Sequence, residues 1–276
     1  MTIVERLTTA DVRFEIDANI AVITITRSAQ GNSIMPRMAN TFREIWSEVR
    51  NNPEIRVAVI TAEGERHFCT GADVGELKTG DNLEVGMASG PFDQTVTLSA
   101  HQNRIWKPVV CAVNGTVVGG GLHFVVDSDI VVASSNAVFF DTHVNVGQVG
   151  AIENIGLTKR LPLGTALRMT LQGRTFKLPA QRAYQLGLVD ELVDTPAEVL
   201  PMALEIAQEI AKNSPNALAL SKEAIWKSLE TGYTPSLEYG WSLLRMHWSH
   251  PDFSEGPAAF GEKRQPLWNP NPSARR

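Results

Sequence analysis

Three consecutive glycines, Gly119-Gly120-Gly121, follow a short apolar run in the middle of the chain, Pro108–Val113 (PVVCAV), with Asn114-Gly115 between. Each glycine costs about 1 kcal/mol relative to alanine inside a plain helix. Three in a row therefore make sense where another backbone or a ligand must come close. A second segment, Phe68-Cys69-Thr70-Gly71-Ala72-Asp73, has a similar composition. Each segment follows a predicted strand and precedes a predicted helix. Two N–H groups at two helix N-termini, converging on one oxygen, form an oxyanion hole. A close-packed turn is the other reading that composition allows. Neither segment fits the phosphate loop G-x-x-x-x-G-K-[ST] or the dinucleotide pattern G-x-G-x-x-G.

The rest of the first half reads as short strands and helices. Val12–Arg27 holds two β-rich runs around Asp17-Ala18-Asn19, a hairpin signal. Met35–Val49 carries Met38, Phe42, Ile45, Trp46 and Val49 at helical spacing. Arg56–Thr61 and Pro108–Val113 are continuous apolar runs, as strands buried on both faces would be. Asp129–Ala133 and Ala137–Phe140 add two more strands, and Ala62–Leu77 reads as a loop turning into a helix. From about Pro201 the period is helical, over Met202–Lys212, Asn216–Glu230 and Ser236–His247, and the proline-rich tail from Pro251 is expected to fray. The class is α/β, divided into a core over residues 1–200 and a helical region over 201–276.

Composition narrows the partners. The 276 residues are 43% hydrophobic and 20% charged, which fits a folded chain. The net charge of −5 argues against nucleic acid or an anionic membrane surface as partner. The N-terminal residues do not resemble a signal peptide, and no apolar run is long enough to span a bilayer. Two cysteines, Cys69 and Cys111, suggest a reducing, cytoplasmic setting.

Four ordered blocks carry a resemblance: Arg56–Leu77, Lys107–Ser134, Leu171–Val193 and Ser254–Trp268. Together they resemble the crotonase, or enoyl-CoA hydratase/isomerase, superfamily over nearly the whole chain. The resemblance implies a spiral of ββα units with a helical C-terminal region that mediates trimer formation, as a homotrimer or a dimer of trimers. It implies an acyl-CoA thioester as substrate, with coenzyme A entering as part of that substrate and no other cofactor. By position, the backbone N–H groups of Ala72 and Gly120 would be the oxyanion-hole donors. Gly71, Asp73 and Gly119 would lie along the CoA, and Phe260 and Lys263 would reach the CoA of a neighbouring subunit.

The departures from the family are equally informative. The two glutamates that hydratases of this family use as acid and base are replaced by His123, directly after Gly-Gly-Gly-Leu, and by His143, twenty residues later. The stretch after His143 is longer than usual and brings in Glu153 and Asn154, with Glu153 a third polar candidate. Its other reading is a helix-start glutamate set against the helix dipole. Asp141 could orient a histidine ring through Nδ1–H. His67, His101, His247 and His250 are expected to be surface or structural. Arg27 or Arg37 could replace a missing basic contact to CoA. Met87, Phe92 and Leu98 are expected to line the acyl pocket. No His-x₃-His spacing occurs, so no metal site is expected.

An imidazole titrates near neutral pH, and two in one pocket should not both be cationic. The expected function is enoyl-CoA hydratase or isomerase-type chemistry, with His123 and His143 as the acid and base in place of the two glutamates and Glu153 as a third candidate. Two alternatives remain. One is cleavage of a C–C bond in a β-keto acyl-CoA or β-diketone, and the other is acyl-CoA binding without catalysis.

Overall fold

The computed structural model describes residues 2–73 and 95–275. The chain enters through a short helix α1 (Ile3–Leu7) and a hairpin of β1 (Val12–Asp17) and β2 (Ile20–Ile25). The hairpin turns on Ala18 and Asn19, with φ of 45° and 69°. Positive φ at both central residues lets a two-residue turn match the strand twist. Helix α2 (Pro36–Asn51) then buries Met38, Phe42, Ile45, Trp46 and Val49, the five residues that its sequence period selects.

Three strand pairs follow: β3 (Val57–Ala62) with β4 (His67–Cys69), β5 (Val109–Val113) with β6 (Thr116–Val118), and β7 (Ile130–Ser134) with β8 (Val138–Phe140). Helix α3 (Leu122–Val126) lies between β6 and β7. In each pair the first strand joins one sheet and the second joins another, which is the geometry of a ββ spiral. After β8 come α4 (Ile152–Leu157), α5 (Leu163–Gln172), β9 (Leu178–Pro179), α6 (Ala180–Leu186) and β10 (Glu191–Val193). The larger sheet has the order β1-β2-β3-β5-β7-β10, and the smaller one β4-β6-β8-β9. Apart from the antiparallel pairs β1–β2 and β8–β9, the pairings are parallel.

The continuous apolar runs of β3, β5 and β7 are explained by burial on both faces. Ala58, Ile60, Cys111, Val113, Val131 and Ala133 face the main core. Val57, Val59, Val110, Ala112 and Val132 face the other way, onto helix α7 (Pro196–Ala211). That helix presents Val199, Ala203, Ala207 and Ala211, one residue per turn, so small side chains bring it close to the sheet. It starts six residues before the expected Met202, because Thr195 and Glu198 form a capping box.

Helices α8 (Pro215–Ser228), α9 (Tyr233–His247) and α10 (Asp252–Glu262) complete the chain. The tail from Pro251 therefore differs from the frayed segment expected. The buried ring of His250 lies 3.0 Å from the Asn271 carbonyl, Asp252 Oδ1 accepts from Asn269 N–H at 2.8 Å, and the Trp268 indole donates to the Lys212 carbonyl at 2.7 Å. These polar contacts, two of them part-buried, hold the tail down. Both cysteines are free and buried, and burial pushes the Cys69 thiol up to about 12. No helix among the described residues is long and apolar enough to cross a membrane.

Candidate active site

The two glycine segments meet. Gly71 has φ +82°, and a Cβ there would sit 2.9 Å from the Val118 carbonyl and 3.0 Å from Gly120 N. A Cβ on Gly120 would lie 3.6 Å from Gly71 Cα and 3.7 Å from Ala72 N. Ala72 forms an isolated parallel bridge with Ile34. That bridge uses Gly71 O and Asp73 N, so Ala72's own N–H points to the other side, where Gly120 lies. Arg27 fixes this loop. Its guanidinium bonds Asp11 at 3.0 Å and Asp73 at 2.8 Å, and Ser33 donates to the same Asp73 oxygen at 2.9 Å. Arg27 is thus held by two carboxylates. Arg37 likewise bonds Asp11, at 2.6 Å.

Beside the glycines lies a cluster of titratable groups. His123 comes from α3, directly after the triplet. A Cβ on Gly119, whose φ is +49°, would lie 3.5 Å from His143 Cε1, so the second ring borders the triplet. His143 opens a 3-10 turn (His143–Val146) after β8. Glu153 and Asn154 stand on the first turn of α4, both buried. Glu153 stands at the helix start that its other reading expected, and at 4% exposure its carboxylate is also buried against the two rings. Its Oε2 lies 3.3 Å from His123 Nε2, and its Oε1 lies 3.2 Å from His143 Nδ1. The sequence's three candidates therefore form one cluster, with the carboxylate between the two rings.

Asp141 organises the far side. Its Oδ1 lies 2.6 Å from His143 Nδ1 and accepts the backbone N–H groups of Thr142 and His143. Its Oδ2 accepts from Asn154 Nδ2 at 2.9 Å. Burial alone would raise the Asp141 pKa, but these hydrogen bonds outweigh it and hold the group below the ordinary carboxylate range. In return Asp141 raises the pKa of His143, against its partial burial. Because the His143 Nδ1 proton is aimed at Asp141, Glu153 Oε1 has no hydrogen bond despite its proximity. It is a buried acceptor beside the His143 ring. His123 is shifted the opposite way: burial lowers its pKa, and His143 adds to the shift. The two rings thus divide into one that holds a charge and one that resists it.

Asp141, His143 and Glu153 also place one ligand atom each within 4.8 Å of one another. Both Asp141 oxygens already accept hydrogen bonds, and His143 Nδ1 supplies one of them, so the donor set reads as an acid–base group. Sequence reasoning missed two contributors. Gly150 packs against the cluster, where a Cβ would lie 2.5 Å from Asn154 Nδ2 and 2.8 Å from Asp141 Oδ2. Gln102 Nε2 lies 2.8 Å from His123 Nδ1.

The remaining histidines take the structural roles expected. His101 stacks on Trp226 with ring centroids 4.6 Å apart, and His250 is fully buried. Leu98 is buried, and its carbonyl accepts the Trp46 indole N–H at 2.8 Å, so it is a packing residue. Met87, Phe92 and the helix expected after Asp73 lie outside the described residues. Phe260 is 89% exposed, and Lys263, at the end of α10, is exposed as well.

The profile of the enoyl-CoA hydratase/isomerase family matches residues 15–271. (E)-benzylidenesuccinyl-CoA hydratase of Thauera aromatica is 34% identical over 265 residues, covering 93% of this chain and 98% of that protein. Short-chain-enoyl-CoA hydratase of Clostridium acetobutylicum is 31% identical over 259 residues, covering 92% and 96%. The crystal structure of an enoyl-CoA hydratase/isomerase from Mycobacterium paratuberculosis aligns with a TM-score of 0.85 at 35% identity, covering 96% of this chain and all of that one.

Proposed function

The chain belongs to the enoyl-CoA hydratase/isomerase family, and from that premise we propose that it adds water across the conjugated double bond of an enoyl-CoA thioester, or forms that bond by removing water from the 3-hydroxyacyl-CoA. The observation that carries this reading is the placement of buried Glu153 3.2 Å from His143, whose ring borders Gly119 of the glycine triplet. The N–H groups of Ala72 and Gly120 hold the thioester oxygen as it gains charge. Losing one such donor typically costs about 2.7–4 kcal/mol of transition-state stabilisation.

In the hydration direction, Glu153 takes a proton from water as the oxygen attacks Cβ. His143, kept protonated by Asp141, donates a proton from Nε2 to Cα. The electron pair of the double bond passes through the enolate to the new Cα–H bond, so the substrate gains one water and nothing is oxidised. Dehydration runs the same steps in reverse. The CoA moiety lies along Gly71, Asp73 and Gly119. Phe260 and Lys263 belong to a neighbouring subunit's site in a homotrimer or a dimer of trimers.

The test is to incubate the purified protein with crotonyl-CoA and with an aryl-substituted enoyl-CoA, and to follow the acyl mass. A gain of one water supports the reading. Cleavage of acetoacetyl-CoA or of a free β-diketone, without hydration of either enoyl thioester, would replace it with C–C hydrolysis. Binding of all the thioesters without any mass change would replace it with a non-catalytic binder.

A further inference from the structure

The Gln102 side chain is engaged at both ends. Its Oε1 accepts the backbone N–H groups of Leu98 at 3.0 Å and Ser99 at 3.1 Å. Its Nε2 lies 2.8 Å from His123 Nδ1. A backbone N–H can only donate, so the two ends of the amide cannot be exchanged. A flipped Gln102 would set its NH₂ against two donors. The NH₂ group therefore faces His123 Nδ1, and Nδ1 must present a lone pair to it. The one proton of a neutral imidazole then sits on Nε2, 3.3 Å from Glu153 Oε2.

We propose that Gln102 locks His123 as a neutral imidazole protonated at Nε2, which makes His123 a fixed hydrogen-bond donor into the pocket and leaves proton transfer to Glu153 and His143. The consequence for turnover rests on the function proposed above, whereas the tautomer itself rests on hydrogen-bond geometry. A second proton would bring Nδ1–H against the Gln102 NH₂, two donors 2.8 Å apart. The surroundings point the same way. Burial and His143 both oppose a charge on the ring, and Glu153 alone favours one. Gln102 is itself held in place. Ser99, whose N–H it accepts, gives its hydroxyl to Asp127, one turn beyond His123 on α3.

A histidine so fixed can hold the Glu153 carboxylate or polarise a substrate oxygen, but its Nε2 cannot accept a proton. Gln102 is thus a positioning residue acting through His123.

The experiment is nitrogen NMR on protein labelled in histidine, with the His123 signals assigned by their loss in His123→Gln. In the wild type, His123 is expected to show the Nε2–H tautomer and to keep it from about pH 5 to 8, the range over which a free histidine changes charge. Gln102→Glu keeps an acceptor for the Leu98 and Ser99 N–H groups and replaces the NH₂ with a carboxylate oxygen. There His123 should gain a proton at Nδ1 and titrate. A cationic His123 would pair with the Glu153 carboxylate and weaken it as the base, so with crotonyl-CoA kcat should fall about 100-fold, the size of that one acid–base contribution, while KM stays unchanged. A wild-type His123 that titrates near its ordinary value, or that shows the Nδ1–H tautomer, would overturn the proposal. So would a Gln102→Glu protein with a protonated His123 and an unchanged kcat. The spectrum needs no substrate, so a wild type that hydrates no enoyl-CoA would overturn the proposed function and leave the tautomer to be decided by the spectrum.

Discussion

At the scale of single residues, the site works by separating two imidazoles that are chemically identical in isolation. Asp141, fully buried and bonded to His143 Nδ1 at 2.6 Å, stabilises the imidazolium. Gln102 stabilises the neutral form of His123. If His143 is the acid, kcat/KM should fall as pH rises through its raised pKa. Asp141→Asn removes the carboxylate, lowers that pKa and moves the basic limb of the profile to lower pH. The rate at the optimum should also drop by about 100-fold or more, because Asn fixes the ring less well and cannot balance its charge. A basic limb that does not move would exclude His143 as the acid. The same pair contributes to stability with opposite signs. The raised His143 pKa stabilises the fold below the ordinary histidine value, and this is lost as pH rises through the folded value. The lowered Asp141 pKa stabilises above the ordinary carboxylate value, and this is lost as pH falls through the folded value. The window between the two is where the cluster holds together best.

At the scale of elements, the glycine triplet shows how one local rule serves both fold and chemistry. The three residues form a 3-10 turn that runs into α3 and carries His123. Their Cβ environments differ, which makes two substitutions separable. A Cβ on Gly121 would lie 2.5 Å from the Cys69 carbonyl, a backbone atom that cannot step aside. Gly121→Ala should therefore cost about 1–3 kcal/mol of stability and lower Tm, whatever its effect on rate. A Cβ on Gly120 would meet only ordinary contacts, the nearest at 3.6 Å, but it would stand 3.7 Å from Ala72 N, where the thioester oxygen is proposed to sit. Gly120→Ala should keep its Tm and lose about 10²–10³ in kcat/KM. Thermal melts beside turnover of crotonyl-CoA check both. If Gly120→Ala loses stability and keeps its rate, the glycine serves packing alone.

The same elements show what the sequence could and could not reveal. β3 and β5 were legible because strands buried on both faces must be continuously apolar, and α2 because its five core residues repeat at helical spacing. His123 and His143 were legible by their place in the resemblance, and Glu153 as a candidate on the longer stretch that follows. Gln102 was not, because it reaches His123 from a turn with no hydrophobic period, and only the fold brings the two together. The helix at Asp252–Glu262 was missed because Gly256 and Pro257 lie inside it and mask the helical pattern. Contacts outside that pattern, at buried His250 and Asp252 and at Trp268, hold the segment in place.

At the scale of the whole molecule, one helix carries a run of exposed apolar side chains. Tyr233, Leu237, Trp241 and Leu244 recur along one stripe of α9 and are 81%, 56%, 54% and 48% exposed. Four large apolar side chains in line form the kind of exposed patch that a partner surface commonly covers. The homotrimer proposed above would cover such a stripe and bring each exposed Phe260 and Lys263 towards a neighbouring site. Sedimentation of the wild type should then give three chains or a multiple of three. Leu237→Glu combined with Trp241→Glu should give single chains, because two carboxylates would be buried without partners. The active site tests whether assembly also matters for substrate. The chain carries a net charge of −5, which repels the CoA phosphates. A cation supplied by a neighbour would offset that repulsion at the one place it acts. Lys263→Ala in the intact assembly should therefore raise KM for crotonyl-CoA about tenfold, with kcat unchanged and the salt dependence of KM reduced. Trimers whose KM ignores Lys263 would mean that the assembly stabilises the fold and leaves CoA recognition to each chain alone.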